Sequence, residues 1–307
     1  MTSILEAKKT IENIILAWDP RISGLGVSQD KEKIIIYTAA DKNGCPFINI
    51  PNKMAGYRVE IICLNPLVPG TSLDPSPGGI SNKLRYRPIC GGISAAHRDV
   101  SAGTLGAIVE DAITGEPLLL SNNHVFANCS TEETPNATIG DPIYQPGRAD
   151  GADIDKDVVA TLLRWIPYNT IGDNLVDAAV ATPKPGILTS DLLLAEDGRF
   201  IEPGEMTPIT SKTHVRKYGR TSGFTNGDII DWDFSTTMTY PGGIKVKYVD
   251  QLLAKLDTYS GDSGSILLDD NDNVVGMVYG GTIVNGERYA VANKIRNVAA
   301  LAHLKFT

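Results

Sequence analysis

The chain has 307 residues, 42% of them hydrophobic and 21% charged, with 28 Lys+Arg against 36 Asp+Glu for a formal net charge of −8. That length allows one large domain or two and is enough to bury a core without covalent staples. No run of 18 apolar residues occurs, which excludes a membrane-spanning helix, and the absence of a basic run removes the electrostatic footprint for nucleic acid or an anionic membrane.

The first segment, MTSILEAKKTIENIILAW, carries its lysines internally and has neither a long apolar stretch nor a small-residue cleavage site. It reads as an amphipathic helix with Leu5, Ile11, Ile14, Ile15 and Trp18 on one face, and not as a secretion signal. The expectation is a cytoplasmic protein whose mature form begins near Met1. Lys33–Tyr37 (KIIIY) and Arg58–Cys63 (RVEIIC) read as strands. A helix beside such strands predicts a small α+β domain over residues 1–67. Residues 68–88, VPGTSLDPSPGGISNKLRYRP, are rich in Pro, Gly and Ser and read as a linker. Cys45, Cys63, Cys90 and Cys129 are widely spread without a C-x-x-C pair, which argues against structural zinc. Without a secretion signal, free buried thiols are expected in preference to disulfides.

From residue 89 to 307 the chain becomes a series of short apolar runs separated by turn residues. Examples are TLGAIV (104–109), PLLL (117–120), DVVATLL (157–163), VDAAVA (176–181), GSILL (264–268) and VVGMV (274–278). Such spacing predicts a mainly β fold, a sandwich or barrel. The end, Arg296 to Lys305, places Val298, Leu301 and Leu304 at helical spacing.

The strongest chemical signal is Ser260-Gly-Asp-Ser-Gly-Ser265, which runs directly into the apolar ILL. A serine between glycines can sit on a tight turn with its hydroxyl exposed. The backbone N–H groups of such a turn can bind an oxyanion. A serine nucleophile needs a base, since a free hydroxyl is hardly ionised at neutral pH, and histidine suits that task. Of His97, His124, His214 and His303, only His124 is delivered by the end of an apolar run, LLLSNNHVF. The other three read as structural or solvent-exposed. A third group must orient the imidazole. Asp177 in LVDAAVAT fits, because an acid in an apolar run is costly unless paired. Asp173 lies in the polar turn IGDN and reads as solvated or a cap.

His124 in SNNHVF, Asp177 in VDAAVA and Ser263 in GDSGS follow the order His, Asp, Ser. This resembles the chymotrypsin-fold (trypsin-like) serine peptidases, over the region from Ile89 to Lys294. AGTLGAIVED, LLLSNNHVF and VRKYGRTSGFTNGDI look like an intracellular branch that includes bacterial peptidases and plant NARROW LEAF 1-type proteins. The resemblance implies two antiparallel β-barrels, His124 and Asp177 on the first and Ser263 on the second, with a C-terminal helix. It implies that Ser263 attacks the scissile carbonyl, His124 shuttles the proton and Asp177 holds the tautomer, while the N–H groups of Gly261 and Ser263 form the oxyanion hole. No metal or organic cofactor is required. Asp257 stands where an acid in trypsin lies at the base of the specificity pocket, implying preference for Arg or Lys, although Tyr259 replaces the cysteine that braces that pocket. Alternatively Asp257 ends a strand and faces water. Tyr279, Gly280 and Gly281 look like the strand lining the pocket, the glycines permitting close approach of an extended substrate backbone. Ile89-Cys-Gly-Gly92 resembles the new N-terminus of an activated zymogen, but release would need cleavage after Pro88. The expectation is therefore that Ile89 simply begins a strand and that Asp262 finds another partner.

The reading is a serine endopeptidase acting on protein or peptide substrates. The N-terminal domain is a candidate for homo-oligomerisation or for docking a regulatory protein. The alternative is a catalytically weak or inactive scaffold on the same fold that binds protein partners, since fold does not guarantee activity. An esterase of another fold is disfavoured by the order of the three residues and by the glycine directly after Ser263.

Overall fold

The computed structural model describes residues 3–18, 22–28, 30–38, 53–63, 82–195, 200–209, 212–284 and 286–306. Of the linker expected over 68–88, residues 68–81 lie outside these, as does Cys45. Helix α1 (Ile4–Trp18) opens on Ser-x-x-Glu. The Ser3 amide donates to the Glu6 carboxylate (2.8 Å) and the Glu6 amide to the Ser3 hydroxyl (3.3 Å), a reciprocal cap of two orphan donors. Its inner face is Ile4, Ala7, Lys8, Ile11 and Glu12. Leu5, expected on that face, is exposed, because the helix turns the i, i+3, i+4, i+7 set that begins at Ile4 toward the protein. The side chains of Ile14, Ile15 and Trp18 lie outside the described residues.

Four strands follow: β1 (Ile22–Val27), β2 (Lys33–Thr38), β3 (Lys53–Met54) and β4 (Tyr57–Cys63). β2 is buried on both faces. Ile34 and Ile36 pack under α1, while Ile35 and Tyr37 point the other way, as a period of two requires. β1 pairs antiparallel with β2, and β4 pairs parallel with it. Cys63, expected as a free thiol, is disulfide-bonded. Cys90 and Cys129 are free and buried, their thiols pushed up to about 12 by burial.

The next strands are β5 (Ile89–Gly91), β6 (Ile93–His97), β7 (Gly103–Leu105), β8 (Ala107–Asp111), β9 (Pro117–Ser121), β10 (Pro142–Tyr144), β11 (Val158–Trp165), β12 (Asp173–Asn174) and β13 (Ala179–Pro183). β6 pairs with β7, β8 with β9, and the ladder returns through β13, β11 and β10 to β6. β7 and β8 are one run broken only at Gly106, so the sheet closes as a barrel around Ile93, Leu105, Leu119, Val159 and Ala179. β14 (Thr189–Leu194) and β15 (Phe200–Ile201) cross to the second half, β14 lying parallel to β5.

The second barrel is β16 (His214–Gly219), β17 (Gly223–Thr239), β18 (Lys245–Lys255), β19 (Ile266–Leu268), β20 (Val274–Val284) and β21 (Glu287–Lys294). Every neighbour in the ring β16-β17-β18-β21-β20-β19 is antiparallel and β19 closes on β16. Val215, Ile229, Leu252, Leu267 and Ala290 fill it. Helix α3 (Ile295–Ala302) then buries Ile295, Val298, Ala299 and Ala302. Val298 is buried as expected, whereas Leu301 is exposed, because the i, i+3, i+4, i+7 row that faces inward runs from Ile295 through Val298 and Ala299 to Ala302. β22 (Leu304–Lys305) pairs with β8, tying the end of the chain to the first barrel. No helix among the described residues is long and apolar enough to cross a membrane.

β17 outruns its barrel, and its far half pairs with β1 (Gly24 with Thr236, Leu25 with Ser235). Above this seam the buried Lys8 ammonium donates to the Asp233 carbonyl and to the Ser235 hydroxyl (3.0 Å), and Ser235 donates to Glu12 (3.2 Å). Asp231 is fully buried there, accepting from the Tyr37 hydroxyl (3.1 Å) and the Asp233 amide (3.0 Å). A Cβ on Gly26 would lie 1.5 Å from its carboxyl oxygen, so only glycine lets the carboxyl in. Burial pushes the Asp231 pKa up to about 7. A raised acid pKa means the folded state holds the proton more tightly, so stability is fully present below the unfolded value near 4 and is lost as pH rises through 7. Asp231→Asn is expected to remove a decline of roughly 2–3 kcal/mol between pH 5 and 8. Urea midpoints across that range check this, and an unchanged slope in the variant contradicts it.

Candidate active site

His124 sits on the single turn α2 (Asn123–Phe126), immediately after β9. The turn is pinned from below. Asn123 donates to the Ser130 (2.9 Å) and Ile166 (2.8 Å) carbonyls and accepts from the Ser130 amide (2.9 Å). Asn122 donates to the Asp177 carbonyl (2.8 Å). Asp177 lies just before β13, fully buried. Its Oδ2 is 2.7 Å from His124 Nδ1, and its Oδ1 accepts from the His124 amide at 3.3 Å. The Asp177 amide donates to Asn293 on β21 (3.0 Å), and Asn293 donates to Gln251 on β18 (2.7 Å). The acid is therefore held by both barrels. Facing a carboxylate, Nδ1 is the donor of this pair, and in the neutral imidazole that tautomer makes Nε2 the acceptor.

Ser263 stands on the loop leading into β19 and is 4% exposed. It lines the same cavity as His124, about 510 Å³, together with Gly261, Ser260, Tyr240 and Asp99. Its hydroxyl donates to the Tyr279 carbonyl at 3.4 Å. Gly261 (φ +97°) and Gly264 (φ +99°) supply the left-handed backbone on either side. The first barrel grips this loop. The Thr104 amide donates to the Ser263 carbonyl (2.8 Å) and the Thr104 hydroxyl to the Gly261 carbonyl (2.8 Å). Gly106 and Gly264 give the clearance: a Cβ on Gly106 would meet the Gly264 carbonyl at 2.3 Å, and one on Gly264 the Thr104 carbonyl at 2.0 Å. With both carbonyls engaged, the Gly261 and Ser263 amides have no internal acceptor among the described residues.

Asp262, between them, points away into the second barrel. Its carboxylate pairs with Lys217 of β16 at 3.0 Å, both side chains fully buried. It also accepts from the amides of Thr221 (2.9 Å), Ser222 (3.0 Å) and Tyr259 (2.9 Å). Burial works to raise its pKa, but the Lys217 charge and these donors hold it below the ordinary carboxylate value. Ile89 is buried within β5, its amide bonded to the Leu188 carbonyl (2.9 Å). Lys217 escaped the sequence reading, although its alternation with the inward Val215 and Gly219 marks it as an inward-facing cation.

The remaining predicted residues fall elsewhere. Asp257 is exposed, as in the alternative reading in which it faces water, and its main-chain carbonyl accepts from Thr225 (2.8 Å). The neighbouring Thr258 is turned inward instead, its methyl 2.3 Å from where a Cβ on Gly281 would stand. Tyr279, Gly280 and Gly281 lie in β20, where Tyr279 meets the site through its carbonyl. Of the other histidines, His97 is buried against Asp141 (3.2 Å), His214 is exposed beside Asp228 (3.4 Å), and His303 follows the last turn of α3. Sequence reasoning also missed Tyr240, whose hydroxyl donates to Asp177 Oδ2 at 2.7 Å.

No family model matches the chain, and no curated protein does. Solved structures do. The chymotrypsin of Cellulomonas bogoriensis is similar with a TM-score of 0.51 and 16% identity, over 71% of this chain and 98% of that one. Protease A of Thermobifida fusca gives 0.52 and 16%, over 71% and 97%. A glutamic acid-specific serine protease gives 0.54 and 13%, over 71% and 99%. The fold is that of the chymotrypsin-like serine proteases.

Proposed function

We propose that the protein is a serine endopeptidase in which Ser263, His124 and Asp177 act as a triad. The observation that carries this reading is the 2.7 Å bond from His124 to the buried Asp177, facing the cavity that Ser263 lines. Ser263 Oγ attacks the scissile carbonyl carbon and gives its proton to His124 Nε2. Asp177 stabilises the imidazolium. The oxyanion is received by the amides of Gly261 and Ser263. Collapse breaks the C–N bond, and the leaving amine takes the proton from His124. A water, deprotonated by the same imidazole, then hydrolyses the acyl-enzyme. The Ser263 hydroxyl must exchange its long bond to the Tyr279 carbonyl for one to His124, a tightening expected on substrate binding. We also propose that it belongs to the intracellular branch, a reading supported by the motifs AGTLGAIVED, LLLSNNHVF and VRKYGRTSGFTNGDI.

That same bond to Tyr279 is the feature favouring an inactive scaffold. A fluorophosphonate probe decides. The native chain is expected to be labelled on Ser263, and Ser263→Ala, with an unchanged circular dichroism spectrum, is not. An unlabelled native chain, or a labelled variant, defeats the proposal.

A further inference from the structure

We propose that Tyr240 is a positioning residue for the candidate triad, its hydroxyl holding down the charge on Asp177 and, through it, the basicity of His124, with Tyr248 as the donor behind it. This rests on the triad reading above. The argument begins with the carboxylate. Asp177 Oδ2 receives two donors at 2.7 Å, His124 Nδ1 and the Tyr240 hydroxyl. A carboxylate has no proton to give, so Tyr240 donates, and its own oxygen is left to accept from Tyr248 at 2.8 Å. Donation runs from Tyr248 to Tyr240 to Asp177, and the carboxylate accepts from the imidazole on the same oxygen.

The ring is fixed for this task. Tyr240 is 2% exposed, stacks on Tyr168 with centroids 4.8 Å apart, and stands 5.6 Å from the His124 ring. It begins the tight turn between β17 and β18, its amide bonded to the Ile244 carbonyl (2.8 Å). Burial first, and then the Asp177 charge, push its pKa well above 10, so it stays a donor at any working pH. In a buried site a hydroxyl dipole aimed at a carboxylate disperses its charge and weakens its pull on an adjacent cation. The titratable groups around the pair are His124 itself, the Cys129 thiol, and Tyr168, Tyr248 and Tyr279, with Asp99 facing the cavity. Among these, only the Tyr240 hydroxyl shares Oδ2 with the imidazole among the described residues.

Tyr240→Phe keeps the stacked ring and removes the hydroxyl. With the donor gone, the carboxylate attracts the imidazolium more strongly. The titration midpoint of His124, followed by the NMR signals of its ring, is expected to rise by about 0.5–1 unit. The acid limb of kcat/KM on a peptide substrate shifts the same way, and kcat falls about tenfold at unchanged KM. Tyr248→Phe shifts the midpoint in the same direction by less. A His124 midpoint in Tyr240→Phe that matches the native protein overturns the proposal. If Tyr240→Phe does not fold, an unchanged midpoint in Tyr248→Phe overturns it. The NMR titration needs no turnover, so a native protein that hydrolyses nothing sinks the triad reading while leaving this test standing.

Discussion

His124→Ala, Ser263→Ala and the double variant are expected to lose nearly the same activity, roughly 10⁵–10⁶-fold in kcat on a peptide substrate. The serine hydroxyl is a weak nucleophile without a base, and the imidazole has no proton to take once the hydroxyl is gone. Two residues that act only together cannot lose their contributions twice. Asp177→Asn, which leaves the geometry but reverses the tautomer at Nδ1, is expected to lose about 10⁴-fold. The residual rate comes from the amides of Gly261 and Ser263 and from substrate binding. Single-turnover kinetics on purified variants would measure this. Losses that multiply in the double variant would mean the two side chains work independently, which removes the relay.

Lys217→Met is expected to destabilise the fold by about 3–5 kcal/mol, the usual result of deleting one partner of a buried pair. Asp262 would keep three amide donors but lose its counter-charge, at a site with no exposure. The loop should respond as well, because Asp262 immediately precedes Ser263 and ties its loop, through the Tyr259 amide, to the Thr221 and Ser222 amides of the facing turn. Activity is therefore expected to fall more steeply than the folded fraction. Adding Asp262→Asn, which removes the orphaned charge, should recover part of the stability. The pH sign follows from the depressed pKa of Asp262. The pair contributes above the unfolded value near 4, and its contribution disappears as pH falls through the lower folded value. Urea midpoints from pH 3 to 7 would show the native chain losing this increment on acidification and Lys217→Met lacking it. A variant as stable as the native chain would show that the pair has no structural role.

The two barrels were legible in the short apolar runs, and the candidate site residues His124, Asp177 and Ser263 stand out because each is marked by a local conflict with its neighbours. His124 ends an apolar run, Asp177 is an acid among aliphatics, and Ser263 lies between two glycines ahead of a buried strand. The helix faces were less legible, since Ile11 and Val298 are buried as expected while Leu5 and Leu301 stand one position away from the buried Ile4 and Ala302. Asp257 carries two readings in the sequence, and in the fold it is exposed beside the buried Thr258. Lys217 and Tyr240 were missed because their acid partners lie 45 and 63 residues away along the chain, and nothing local says which acid an inward cation or hydroxyl will meet. The seam between β1 and β17 is equally non-local, since Gly24 pairs with Thr236.

That seam bears on how the protein is made. Tyr37 and Asp231 meet across 194 residues, so at about 5–20 residues per second the ribosome releases KIIIYT roughly 10–40 s before its mate exists. During that interval a strand apolar on both faces is without its cover on one side, in the composition that seeds self-association. Maturation then waits on a loop closure spanning most of the polypeptide, a slow step by its contact order. Yield on overproduction should therefore depend on synthesis rate and temperature more than the finished molecule's stability would suggest.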